Sequence, residues 1–143
     1  MKILIVLLVM EFSVSARADQ YVFTCNCYDG GAGNTPISQV MVQGDTASQA
    51  IDMANGLCEA LGASIPLVTD CGIKVFPGII YSASMGCNCF NRSIGNMFLG
   101  QVYADGSSVN WAFSGIIGKC RDLGGDNYLG AELIGCNGTI YSK

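Results

Sequence analysis

Histidine is missing from this chain of 143 residues. Its absence removes the commonest general base, any Ser-His or Cys-His pair, and the usual imidazole ligand of catalytic zinc. Charge is scarce too. Asp, Glu, Lys and Arg make up 13% of the chain, about half the ordinary share near 25%. The charges lean acidic and leave no basic footprint for nucleic acid or anionic lipid. No C-x-x-C motif occurs, which argues against a redox site and against paired zinc knuckles. Beyond residue 18, Gly, Asp, Asn and Cys interrupt every apolar stretch, so no membrane span is expected. No cofactor or metal constellation is visible, and neither is expected.

What is present is a duplication. Cys25-Asn26-Cys27 recurs as Cys87-Asn88-Cys89, 62 positions on. At the same offset Gly33-Asn34 falls on Gly95-Asn96, Gln39-Val40 on Gln101-Val102, Gly44 on Gly106, Cys58 on Cys120, and Leu61-Gly62 on Leu123-Gly124. The last cysteine of each copy, Cys71 and Cys136, is offset by 65, a three-residue insertion in the second copy. A repeat fixes the building unit and divides the eight cysteines into two sets of four.

The N-terminus has the form of a secretory signal peptide over residues 1–18. Lys2 precedes the short apolar core Ile3–Met10, and Ala16-Arg17-Ala18 offers a cleavage site before Asp19. The core is far short of the roughly 20 residues that span a bilayer. Removing Lys2, Arg17 and Glu11 from the 7 basic and 11 acidic residues leaves 5 and 10, a net charge of −5. The expected location is secreted or periplasmic. There Cys25, Cys27, Cys58, Cys71, Cys87, Cys89, Cys120 and Cys136 form disulfides rather than zinc sites. Two units then follow, residues 19–77 and 78–143, joined at Pro77-Gly78.

Each unit reads as strand, strand, helix, strand. Tyr21–Tyr28 alternates, with Tyr21, Phe23, Cys25 and Cys27 on one face; Ala83, Met85, Cys87 and Cys89 answer in the second copy. Ile37–Gln43 and Leu99–Asp105 are the second strands. Asp45-Thr46 and Ser107-Ser108 are helix starts. Ala47, Ile51, Ala54, Cys58 and Leu61 form a helical stripe, as do Val109, Phe113, Ile116, Cys120 and Leu123. Short strands end the units, at Ile73–Phe76 in the first and at Leu129–Ile134 or Thr139–Ser142 in the second. The class is α+β: two tandem cystine-stapled ββαβ-like repeats in one compact domain with antiparallel sheet. The two units either share one sheet or pack face to face. The C-N-C cysteines reach two partners, the helix cysteine and the late cysteine, in an order the sequence leaves open.

Function is harder to read, and an enzyme is disfavoured. Carboxylates are the remaining catalytic groups, and a correctly spaced pair can hydrolyse a glycosidic bond. Asp45 reads as a helix cap, and Asp52 and Glu59 as exposed helix positions. Glu132 is the sole acid in an apolar stretch, where alternation points it outward; buried, with a raised pKa, it would be a candidate acid. The copies differ most at Gln49 and Trp111, opposite the buried stripes. Trp111, with Asn110, Arg121 and Asp122 near it, is either inter-repeat core or an exposed docking site for a protein, a glycan or a second chain. Arg92, on the loop Asn91–Met97, is the candidate contact of a protease inhibitor. Asn91 and Asn137 sit in glycosylation sequons. The main expectation is an exported binding module with a protein or glycan partner, able to hide apolar area in a homo-oligomer.

Overall fold

The computed structural model describes residues 19–124 and 131–143. The expected signal peptide lies outside them, as does the start of the Leu129–Ile134 candidate strand. The first unit comprises β1 (Asp19–Asp29), a 3-10 turn (Gly30–Ala32), β2 (Thr35–Gly44), α1 (Ala47–Ala60) and β3 (Pro66–Pro77). The second repeats it as β4 (Ile80–Asn91), a 3-10 turn (Arg92–Ile94), β5 (Met97–Gly106), α2 (Val109–Gly124) and β6 (Ala131–Ser142). Each unit is a three-stranded antiparallel sheet with its first strand central, in the orders β2-β1-β3 and β5-β4-β6. The fold is therefore α+β, two ββαβ units in tandem.

The turns repeat because their chemistry repeats. Asp29 Oδ1 accepts from Gly31 N at 3.0 Å, and Asn91 Oδ1 accepts from Ser93 N at 2.9 Å. Each turn then leaves through a left-handed pair, Gly33-Asn34 or Gly95-Asn96, where Gly and Asn are the residues least penalised. Thr46 caps α1 by accepting from Gln49 N, and Ser108 does the same for Trp111 N at the start of α2. Asp45 is not the cap; it accepts from Gln20 Nε2. Glycine at 44 and 106 is steric. A Cβ there would stand 2.7 Å from Ala50 N and 2.5 Å from Ala112 N, so each helix lies directly on its second strand.

Both units close the same bonds: Cys25–Cys71 and Cys27–Cys58 in the first, Cys87–Cys136 and Cys89–Cys120 in the second. The first cysteine of each C-N-C thus ties the central strand to its neighbour, and the second ties it to the helix. Four disulfides in so small a domain belong to an oxidising environment.

The terminal strands are longer than their apolar patches implied. β3 runs through Cys71, and the two candidates in the second copy belong to one strand. Cross-strand pairing with β1 and β4 carries them across residues with no periodicity of their own. The helix stripes also shift. In α1, Ala50 rather than Ala47 is buried, and in α2 Leu123 is exposed while Ala112 and Ile117 are buried. Ala50 and Ala112 are buried because each helix lies on its own second strand at Gly44 or Gly106, and α2 packs on β2 of the first unit as well as on its own sheet, an added contact on the side of Ile117. One apolar cluster runs through both units.

The units share no backbone ladder among the described residues. Instead edge strand β2 lies beside edge strand β6, and side chains satisfy the backbone between them. Ser38 Oγ accepts from Leu133 N at 2.9 Å, and its single proton is shared between Gln39 O at 2.9 Å and Leu133 O at 3.3 Å. Gln39 Oε1 accepts from Cys136 N at 3.0 Å. Asn110 accepts from Gln43 N and donates to Gln43 O, while Gln43 Oε1 accepts from Val109 N at the start of α2.

Candidate functional site

Two places carry the residues singled out by sequence. The first is the outward face of α2. Trp111 is 71% exposed, so it is not inter-repeat core. Ser114 and Gly118 lie on the same exposed side at helical spacing, and a Cβ at Gly118 would meet nothing within 4 Å. The result is a large indole beside an open, shallow strip. Asn110 does not belong to that surface, because both ends of its amide hold Gln43. Asp122 is exposed in the last turns of the helix. Arg121 is half-buried and lines a small recess with Phe90, Asn91, Leu99 and Ala131. The five candidate residues are therefore not one patch.

The second place is the joint near the starts of β2 and β6. Glu132 is buried at 7% exposure, against the outward position that alternation gives it. The first unit packs over this end of β6 through β2, so strand period within one unit could not show it. Burial raises the carboxyl above its usual range, and the nearby Arg92 guanidinium pulls it part of the way back. Arg92 is itself half-buried and lowered by burial; its Nη2 donates to Leu61 O at the end of α1, 2.9 Å away. Arg92 therefore braces the joint and is not displayed on a loop, which removes the premise of the inhibitor reading.

Glu132 opens onto a cleft of about 160 Å³ lined by Asn26, Tyr28, Pro36, Ser38, Gln39 and Ile134, among others. It is the only acid in that lining, and the Asp70 carboxylate stands just beyond it, accepting from Asn26 Nδ2 at 3.5 Å. Asp29, the other buried acid, is committed to the fold. Its Oδ1 accepts from Gly31 N, Ile65 N and Ser64 Oγ, and the Ile65 and Ser64 bonds hold the carboxyl below its ordinary range. Among the described residues no group of three or more His, Cys, Asp or Glu could hold a metal ion.

Comparison with known proteins adds nothing further to these two places. No family model, curated protein or solved structure matches the chain. The reading of function therefore rests on the geometry alone.

Of the sequons, Asn91 is buried and caps its turn, while Asn137 is exposed. Only Asn137 is open to modification in the folded protein. Sequence reasoning missed the joint residues Gln43, Ser38 and Gln39, and it missed Tyr103, which is 61% exposed. The differences between β2 and β5 mark Ser38, Gln43 and Tyr103, whereas Gln39 is the same in both copies as Gln101 and carries no such signal. Ser38 and Met41 in β2 stand where Gly100 and Tyr103 stand in β5.

Proposed function

We propose that the protein is an exported, disulfide-stapled binding module that docks another protein through the Trp111 face of α2. The carrying observation is the exposure of the chain's single tryptophan beside the open strip at Ser114 and Gly118. Tryptophan contributes large contact area at low entropic cost and leads the residue types found in interface hot spots. Export is supported by the four disulfides and by the expected signal peptide.

A protein fits this face better than a glycan. Asn110, the side chain best suited to sugar hydroxyls, is closed onto Gln43. The Lys119 ammonium reaches back to the carbonyl of Tyr103. The remaining strip offers shape and apolar area rather than a ring of hydrogen bonds.

The test compares the oxidised mature chain with Trp111→Ala on the extracellular fraction of producing cells. The expected result is a protein retained by the wild type, lost by the variant, and able to shield Trp111 from acrylamide quenching. Retention that ignores Trp111, or binding to carbohydrate with no protein retained, overturns the reading.

A further inference from the structure

The joint between the units is heterologous: the second strand of one unit meets the third strand and helix start of the next. Such a contact uses one face of each unit and leaves its counterpart unused at either end of the molecule. The unused faces are β5 with the end of α2, and β3 with the start of α1. Their burial shows what the joint covers. Leu61, at the end of α1, is fully buried, and its counterpart Leu123 is 51% exposed. Met41 is 5% exposed and its counterpart Tyr103 is 61%. On the opposite end, Leu67 and Val75 of β3 are exposed, where Glu132 and Ile140 of β6 stand in the joint; Ile73 already borders the internal joint, beside Met41, Gly138 and Ile140.

Part of the chemistry of the joint is kept at these ends. Gln101 repeats Gln39, the acceptor for Cys136 N, and Cys71 repeats Cys136. Asp105 replaces Gln43, whose side chain accepts from the first amide of α2. A carboxylate is a good acceptor at a helix start. Ser48 replaces Asn110, and Gly100 replaces Ser38, so two clamps are weaker. The half-buried Arg92 and the buried Glu132 of the joint become Gly30 and Leu67 facing Leu123, an apolar contact without the Arg92 bond to the helix-end carbonyl.

We propose that β5 and the end of α2 of one molecule dock on β3 and the start of α1 of a second copy, continuing the internal joint head to tail. The partner is another copy of this chain, and the association is open rather than a two-fold dimer. It is weaker than the internal joint, because three clamps are lost or reduced, at Ser38, Asn110 and Arg92, and the units are no longer tethered. This surface is separate from the Trp111 face.

Sedimentation velocity on the oxidised mature chain, from micromolar to millimolar, tests it. The expected wild type forms a concentration-dependent series of species. Tyr103→Asp and Leu67→Asp each damage one end, and each alone weakens association at least tenfold. Mixed in equal amounts they restore a dimer and nothing larger, because each retains the end the other lacks. Ser48→Asn restores the missing clamp and tightens association severalfold. Circular dichroism confirms folding; if either Asp variant misfolds, Tyr103→Lys and Val75→Lys take their places. A wild type that stays monomeric, or a pair of damaged chains that does not recover on mixing, overturns the proposal.

Discussion

The Asn110 amide closes on both backbone groups of Gln43, accepting from its N–H at 2.9 Å and donating to its carbonyl at 3.1 Å. A single side chain from the second unit thus completes the edge of the first unit's sheet. Edge strands need such cover, since their free backbone groups otherwise seek other strands. Asn110→Ala should cost about 1 to 3 kcal/mol by leaving both groups unsatisfied. Chemical denaturation measures the loss, and faster hydrogen exchange at the Gln43 amide locates it.

Trp111→Ala should behave oppositely. The side chain is largely in water, so stability should change by no more than about 0.5 kcal/mol. Denaturation curves of the two proteins should superimpose. A large loss of stability would place the indole in the core.

The two buried acids should tilt the stability of the protein in different pH ranges. Asp29 is lowered in the fold, so its contribution is complete above its unfolded pKa and is lost as pH falls through the folded value. Glu132 is raised, so the fold holds its proton more tightly than the unfolded chain does. Stability therefore declines as pH rises from the unfolded pKa of Glu132 toward the folded one. Glu132→Gln should abolish that decline, and Asp29→Asn should flatten the loss on the acid side. Midpoints of urea unfolding between pH 2 and 8 measure both slopes.

Removing Cys27–Cys58 as a pair should cost about 3 to 4 kcal/mol, the loop entropy expected for residues 31 apart. The same change at Cys89–Cys120 should cost about as much, because its separation is also 31 residues and the loop entropy acts on the unfolded chain. Thermal unfolding of the two double variants compares them directly.

The repeat, the order of elements and the division of cysteines were legible because each depends on residues close in sequence or on a fixed offset. Strand alternation at Phe23, Cys25 and Cys27 and the helix starts at Asp45-Thr46 and Ser107-Ser108 are of that kind. The pairing order of the C-N-C cysteines was not legible, because Cys25 and Cys27 look alike until a neighbouring strand and a helix are set beside them. Glu132 and Leu123 were misplaced for a related reason. Their burial depends on how one unit meets another, and periodicity within a unit carries no record of that contact.

The disulfides never cross from one unit to the other, and this bears on how the chain matures. During synthesis Cys71 emerges before Cys87, so the first half can finish its oxidation while the second half does not yet exist. Four thiols have three ways to pair, whereas eight have 105. Order of emergence removes most of the wrong partners before they arrive. A first half finished in this way presents β2 with Ser38, Gln39 and Gln43, the side chains that receive β6 and α2 in the folded protein.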